Sequence, residues 1–161
     1  MSLFNKIILF FVIFSVNSCG FELKKAAVLP ESMINTYIEA INARSIFYRK
    51  FRNELISNNI QIVDSRSSAT AVLKIIVDET GRRVLSVSAR NIATEYEVFY
   101  RIVYSFGDNK NLFLAPQDLV LTRSYTFNEK LVLGKSQEEE MLIDALADDL
   151  VRMVINQISS Q

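Results

Sequence analysis

From Thr94 to Phe106 the chain places Tyr96, Val98, Tyr100, Ile102, Tyr104 and Phe106 at every second position. Successive side chains of a strand point to opposite faces, so all six face one side of a sheet. The intervening Glu95, Glu97, Phe99, Arg101, Val103 and Ser105 make a mixed opposite face. A strand with so much apolar surface on one side needs a cover there, and that need limits what the rest of the chain can be. The cluster Gly107-Asp108-Asn109-Lys110-Asn111 supplies a turn into an antiparallel neighbour. Pro116 opens that neighbour, a strand expected over Asp118–Asn128.

Two amphipathic helices can supply the cover. Ser45 to Asn58 reads as the first, with Ser45 as cap and Phe47, Phe51 and Leu55 recurring every fourth residue. Its Arg49, Lys50, Arg52 and Glu54 read as a solvated face. The second follows Ser136-Gln137-Glu138-Glu139, which fits a capping box with Ser136 as the cap. Glu138, Glu139 and Glu140 sit where the helix dipole favours negative charge, so they need no metal or acid–base role. Leu142, Leu146, Leu150, Met153 and Val154 form its apolar stripe. Thr36–Ile41 is a candidate first strand and Ala71–Val77 a central one. Thr80-Gly81 offers a turn before a further β-like piece, Val84–Ser88. The first strand must join the sheet through a right-handed crossover. The expected fold class is α+β: a two-layer α/β sandwich, with two helices packed on one face of a mixed sheet of about four strands. The other sheet face is left as plain solvent surface or as a surface for a partner.

The N-terminus carries an address. Lys6 precedes the apolar run Ile7–Phe14, which is far shorter than the roughly 20 residues a spanning helix needs. Those are the proportions of a secretory signal. Val16-Asn17-Ser18-Cys19 resembles the bacterial lipobox, in which an aliphatic and a small residue precede an acylated cysteine. Residues 1–18 are therefore expected to be cleaved, and residues 19–161 to form one domain anchored through Cys19. The covalent diacylglycerol and acyl chain on Cys19 are the only added groups expected, with no cofactor. Two or three chains hold a protein stably at a membrane where one holds it only marginally. Gly20, rather than an Asp, follows the cysteine, which favours the outer membrane, with the domain facing the periplasm.

Composition removes several function classes. The 161 residues hold 18 Lys+Arg, 18 Asp+Glu, one Cys and no His. Without His the usual zinc sites, a Cys–His pair and a Ser–His–Asp triad cannot be built. No phosphate-cradling glycine loop and no G-x-S-x-G occurs. No catalytic residue and no metal ligand is assigned, and the expected protein is not an enzyme. Balanced charge gives no broad attraction for nucleic acid, so none is expected as a partner.

Several segments, taken in order, carry a resemblance. Cys19-Gly20-Phe21 with Leu23 and Leu29-Pro30 comes first, then Ser86-Val87 before a basic hairpin. Glu95-Tyr96 opens the long strand, and Arg123–Asn128 forms an Arg-x-Tyr/Phe segment ending in a turn. Leu131–Lys135 and Glu138-Glu139 then lead into a terminal helix. In this order, behind a lipobox, they resemble the LptE (RlpB) family of lipopolysaccharide-assembly outer-membrane lipoproteins. The resemblance implies a partner of the LptD β-barrel that sits in the barrel lumen as a plug. It supports barrel assembly and helps insert lipopolysaccharide into the outer leaflet. It further implies lipopolysaccharide contact through basic residues. Lys135 matches one such position; Arg90 stands one place along from the other, which Ala89 occupies. Arg82 and Arg83 add two more cationic donors to the hairpin. The alternative is a free-standing periplasm-facing lipoprotein that binds a lipid or envelope glycan.

The anchor is testable directly. Cys19→Ala removes the only thiol, so metabolic labelling with palmitate is expected to mark the wild-type protein and not the variant.

Overall fold

The computed structural model describes residues 29–126 and 135–160. In chain order these form β1 (Asn35–Ala40), α1 (Ile46–Ser57), β2 (Gln61–Ile62), β3 (Ala71–Val87), β4 (Ala93–Gly107), β5 (Leu112–Thr126) and α2 (Lys135–Ser159). The sheet order is β2-β1-β3-β4-β5, with β1 parallel to both of its neighbours and the β3-β4-β5 meander antiparallel. Both helices cover one face, as the α+β reading requires. Four longer strands match the expected sheet, and β2 adds a fifth of two residues at its edge. Cys19, the lipobox and residues 127–134 lie outside the described residues.

The alternation of β4 is borne out. Val98, Tyr100, Ile102, Tyr104 and Phe106 are buried, and only Tyr96, near the hairpin end, is half-buried. Phe47, Phe51 and Leu55 of α1 and Leu146, Leu150 and Val154 of α2 pack over them. At roughly 1.5–3 kcal/mol for each large side chain removed from water, this cluster is the main stabilising term. One member of the expected α2 stripe is misplaced: Met153 is exposed, while Ala147, Val151, Ile155 and Ile158 are buried. The buried face is centred slightly to one side of the leucine line, which leaves Met153 on its rim.

Two turns of the reading differ. Thr80-Gly81 is not a turn, because β3 runs straight through it and Gly81 pairs with Phe99 across the β3–β4 ladder. A Cβ at Gly81 would lie 2.6 Å from Phe99 Cε1 and Cζ, so the glycine makes room for an aromatic ring lying across it. β5 begins at Leu112, before Pro116. It is an edge strand, where a missing N–H costs no ladder bond, and the β4–β5 register shifts between Tyr104 and Phe106, next to the proline.

Polar groups inside the sandwich are paired. Ser45 caps α1 as expected, its Oγ accepting from Tyr48 N at 3.0 Å. The same hydroxyl donates to Asp78 Oδ2 on β3. Tyr100 OH donates to Asp78 Oδ1 at 2.9 Å and accepts from Phe47 N at 3.0 Å. One carboxylate thus joins the start of α1 to β3 and β4. Tyr104 OH donates to Gln157 Oε1 and ties the end of α2 to the same strand. Lys50 of α1 bridges Asp144 and Asp148 of α2 at 3.0 and 2.8 Å, so part of the basic helix face is a helix–helix clamp.

Burial pushes the Tyr104 hydroxyl up to about 12 and holds that of Tyr100 further above the ordinary tyrosine range. The folded state keeps both neutral, whereas the unfolded chain ionises them near pH 10. Their contribution is therefore complete below about pH 10 and lost as pH rises towards 12. Urea unfolding midpoints are expected to fall steeply through that window, and less steeply in Tyr104→Phe. Tyr100→Phe is expected to cost about 1–3 kcal/mol at neutral pH, because it strips a partner from both Phe47 N–H and Asp78.

Candidate functional site

The β3–β4 hairpin extends past its last pairs, Ser86 with Glu95 and Val87 with Ala93, into a tight turn. Ser88 N donates to Ile92 O at 2.7 Å and Asn91 N to Ser88 O at 2.9 Å. Asn91 has φ 60°, a left-handed conformation that asparagine tolerates better than most residues. Register shifts between Val84 and Ser86 and between Ser86 and Val87 twist the strands as they approach this tip.

The tip is apolar on its outside. Val84, Leu85, Val87 and Ile92 are 50%, 47%, 54% and 36% exposed. Residues 84–93 contain no carboxylate and one cation, Arg90. Arg90 is exposed and makes no ion pair or hydrogen bond among the described residues. Its two neighbours in sequence behave differently. Arg82 Nη1 pairs with Glu139 Oε2 at 3.0 Å, and its guanidinium lies 5.2 Å from the centre of the Tyr96 ring. Arg83 pairs with Glu97 on the opposite sheet face. Of the three hairpin arginines, only Arg90 is without an ion pair or hydrogen bond among the described residues. Sequence reading found the cations and missed the apolar collar, because Val84–Ser88 looked like ordinary strand. The signal was there: ten residues of a turn region with no acid and four large apolar side chains.

The first turns of α2 rest against the base of the hairpin. Glu139 Oε2 accepts from both Arg82 and Tyr125 OH, the latter at 3.1 Å, and Tyr125 stacks on Tyr96 with centroids 5.8 Å apart. The hydrogen bond to Glu139 raises the pKa of Arg82 further. α2 is described from Lys135 and Glu139 is engaged with the sheet, while the Ser136 side chain of the expected capping box lies outside the described residues. Lys135 is the first residue of α2, four positions before Glu139, hence about one helical turn away along the axis. The fold thus brings the start of α2 and the base of the Arg90 hairpin to one end of the sandwich. The Lys135 side chain lies outside the described residues.

The uncovered sheet face is a lattice of ion pairs. Arg101 is held bidentately by Asp118 at 3.0 and 2.9 Å and singly by Glu79 at 3.1 Å. Glu39 is shared by Lys74 at 2.8 Å and Arg66 at 3.3 Å. Such exposed pairs contribute little stability, but they offset most of the charge on the face. Among the described residues, no group of three or more His, Cys, Asp or Glu is placed to hold a metal ion. No described helix is long and apolar enough to cross a membrane.

Known proteins share this fold. The family model LptE, described as lipopolysaccharide-assembly, matches residues 35–158. The LPS-assembly lipoprotein LptE of Photorhabdus laumondii is 23% identical over 144 residues, which is 87% of this chain and 76% of the relative. The solution structure of an uncharacterized lipoprotein B from Nitrosomonas europaea superposes with a TM-score of 0.73 at 26% identity, covering 88% of this chain and 91% of that one. The crystal structure of rare lipoprotein B from Shewanella oneidensis superposes with a TM-score of 0.68 at 23% identity, covering 78% and 94%. The family match spans the sheet, both helices and the hairpin that joins β3 to β4, and on that ground the chain belongs to the LptE family of lipopolysaccharide-assembly proteins.

Proposed function

We propose that the protein is a non-enzymatic lipoprotein of the outer membrane, anchored through acylated Cys19 and facing the periplasm. In this reading it occupies the lumen of the LptD β-barrel as plug and assembly partner, and helps insert lipopolysaccharide into the outer leaflet. The observation that carries the lipopolysaccharide part is the hairpin tip: an unpaired Arg90 set among four exposed apolar side chains. Lipopolysaccharide presents anionic phosphates beside acyl chains. An arginine can take a phosphate through charge-assisted hydrogen bonds while its apolar neighbours meet hydrocarbon. Lys135, at the start of α2 on the same end, is the second proposed contact. The polar, ion-paired open sheet face suits the polar interior of an outer-membrane barrel.

Gentle detergent extraction followed by affinity purification is expected to yield LptD in stoichiometric amount. Recovery of the protein alone from cells that contain LptD overturns the barrel reading in favour of a free-standing lipid- or glycan-binding lipoprotein. For the ligand, Arg90→Asp combined with Lys135→Asp is expected to weaken lipopolysaccharide binding about tenfold or more, with the circular dichroism spectrum unchanged. Unchanged binding in that direct assay shows that the patch is wrong.

A further inference from the structure

The two edges of the sheet are unlike. One ends in the two residues of β2, while the other is β5, a strand of 15 residues with no strand on its outer side among the described residues. From Gln117 to Ser124 its ladder with β4 runs without a register shift. One row of backbone N–H and C=O groups along this stretch faces outward. Proteins ordinarily guard such an edge with a projecting charge, a proline or a bulge. Here the proline and the register shifts fall before Gln117. Both charged residues of the stretch are ion-paired within the molecule. Asp118 is held by Arg101 through both carboxylate oxygens, and Arg123 Nη2 pairs with Asp149 of α2 at 2.8 Å. The side chains between these two ion pairs are neutral: Leu119 and Leu121, half-buried on the helix side, and exposed Val120 and Thr122 on the other.

We infer that the Gln117–Ser124 edge of β5 is a strand-addition site for an extended, uncharged segment of another protein. The guest places apolar side chains beside Leu119 and Leu121 and small or β-branched ones beside Val120 and Thr122. Main-chain hydrogen bonds supply affinity, and the alternating pockets supply register. A second copy of this chain fits less well. Antiparallel self-pairing that keeps the helices on one side must centre on a residue of the strand. Centred on Val120, it sets Pro116, which lacks a donor, opposite Ser124; centred on Leu121, it sets Arg123 opposite the partner's Leu119. A segment of a different protein can stop short of Pro116 and avoid both conflicts. Barrel strands are already fully paired, so if LptD is the partner a loop supplies the segment; the inference does not depend on that identity.

Hydrogen exchange on the full lipidated protein tests this. Exchange is compared between protein extracted in mild detergent at native expression level, with its bound proteins, and the same protein separated from them. Peptides covering residues 117–124 are expected to exchange about tenfold or more slowly in the extracted assembly. Val120→Lys with Thr122→Lys changes only exposed side chains. It is expected to preserve the unfolding midpoint and to lower retention of the bound protein about tenfold. Equal exchange in the two states, or wild-type retention by the lysine variant, overturns the inference. So does protection seen only in a species of twice the chain mass with no other protein present, which assigns the edge to a second copy. Protection without LptD in the assembly upholds the strand-addition site and removes the barrel reading. LptD without protection does the reverse.

Discussion

β4 buries two tyrosines in the centre of the molecule, and the rest of the structure is arranged so that their hydroxyls are never left dry. Tyr100 and Tyr104 bring large apolar rings, which favour burial, and polar tips, which do not. Tyr100 meets Asp78 on the adjacent strand and the first turn of α1; Tyr104 meets Gln157 near the end of α2. Each helix is thereby fixed to the sheet at one defined point as well as through a greasy face. Apolar contact alone would let the helices slide. The cap residue Ser45 shares Asp78 with Tyr100, so the position where α1 begins and the position where it docks are set by one carboxylate.

This arrangement makes the two ends of the sandwich different. Where the helices overlie the sheet, the apolar side chains between the two layers are buried. The β3–β4 hairpin runs beyond that cover, and no element shields Val84, Leu85, Val87 and Ile92 among the described residues. Clusters of exposed apolar side chains usually mark a surface that meets another molecule. Glu139 fixes the geometry at the boundary, because it links the start of α2 to Arg82 and Tyr125. The ion pairs elsewhere act mainly by removing charge from surfaces, and what sets Arg90 apart is its place among exposed apolar side chains.

Much of this was legible in order and type of element. The period of two in β4, the Ser45 cap and the i, i+4 phenylalanines of α1 each announce themselves within a few residues. The errors have a common origin. Gly81 looked like a turn because glycine usually marks one, yet it lies under the Phe99 ring, a neighbour supplied by another strand. Glu139 reads in sequence through Ser136, three residues before it, yet among the described residues its partners are Arg82 and Tyr125. Arg82 and Arg83 read as further donors beside Arg90 because all three are basic and close in sequence. Their acids, Glu139 and Glu97, come from elsewhere in the fold.

The sequence by itself determined the strands and helices, the side of β4 that is buried and the sandwich that follows. It did so because periodicity and capping are local, read within one or two turns of chain. Only the tertiary structure decided which cations are spent, which apolar residues stay in water and which sheet edge is left open. Those outcomes depend on partners brought together from distant positions, and hydrogen bonds and ion pairs are settled by that juxtaposition alone.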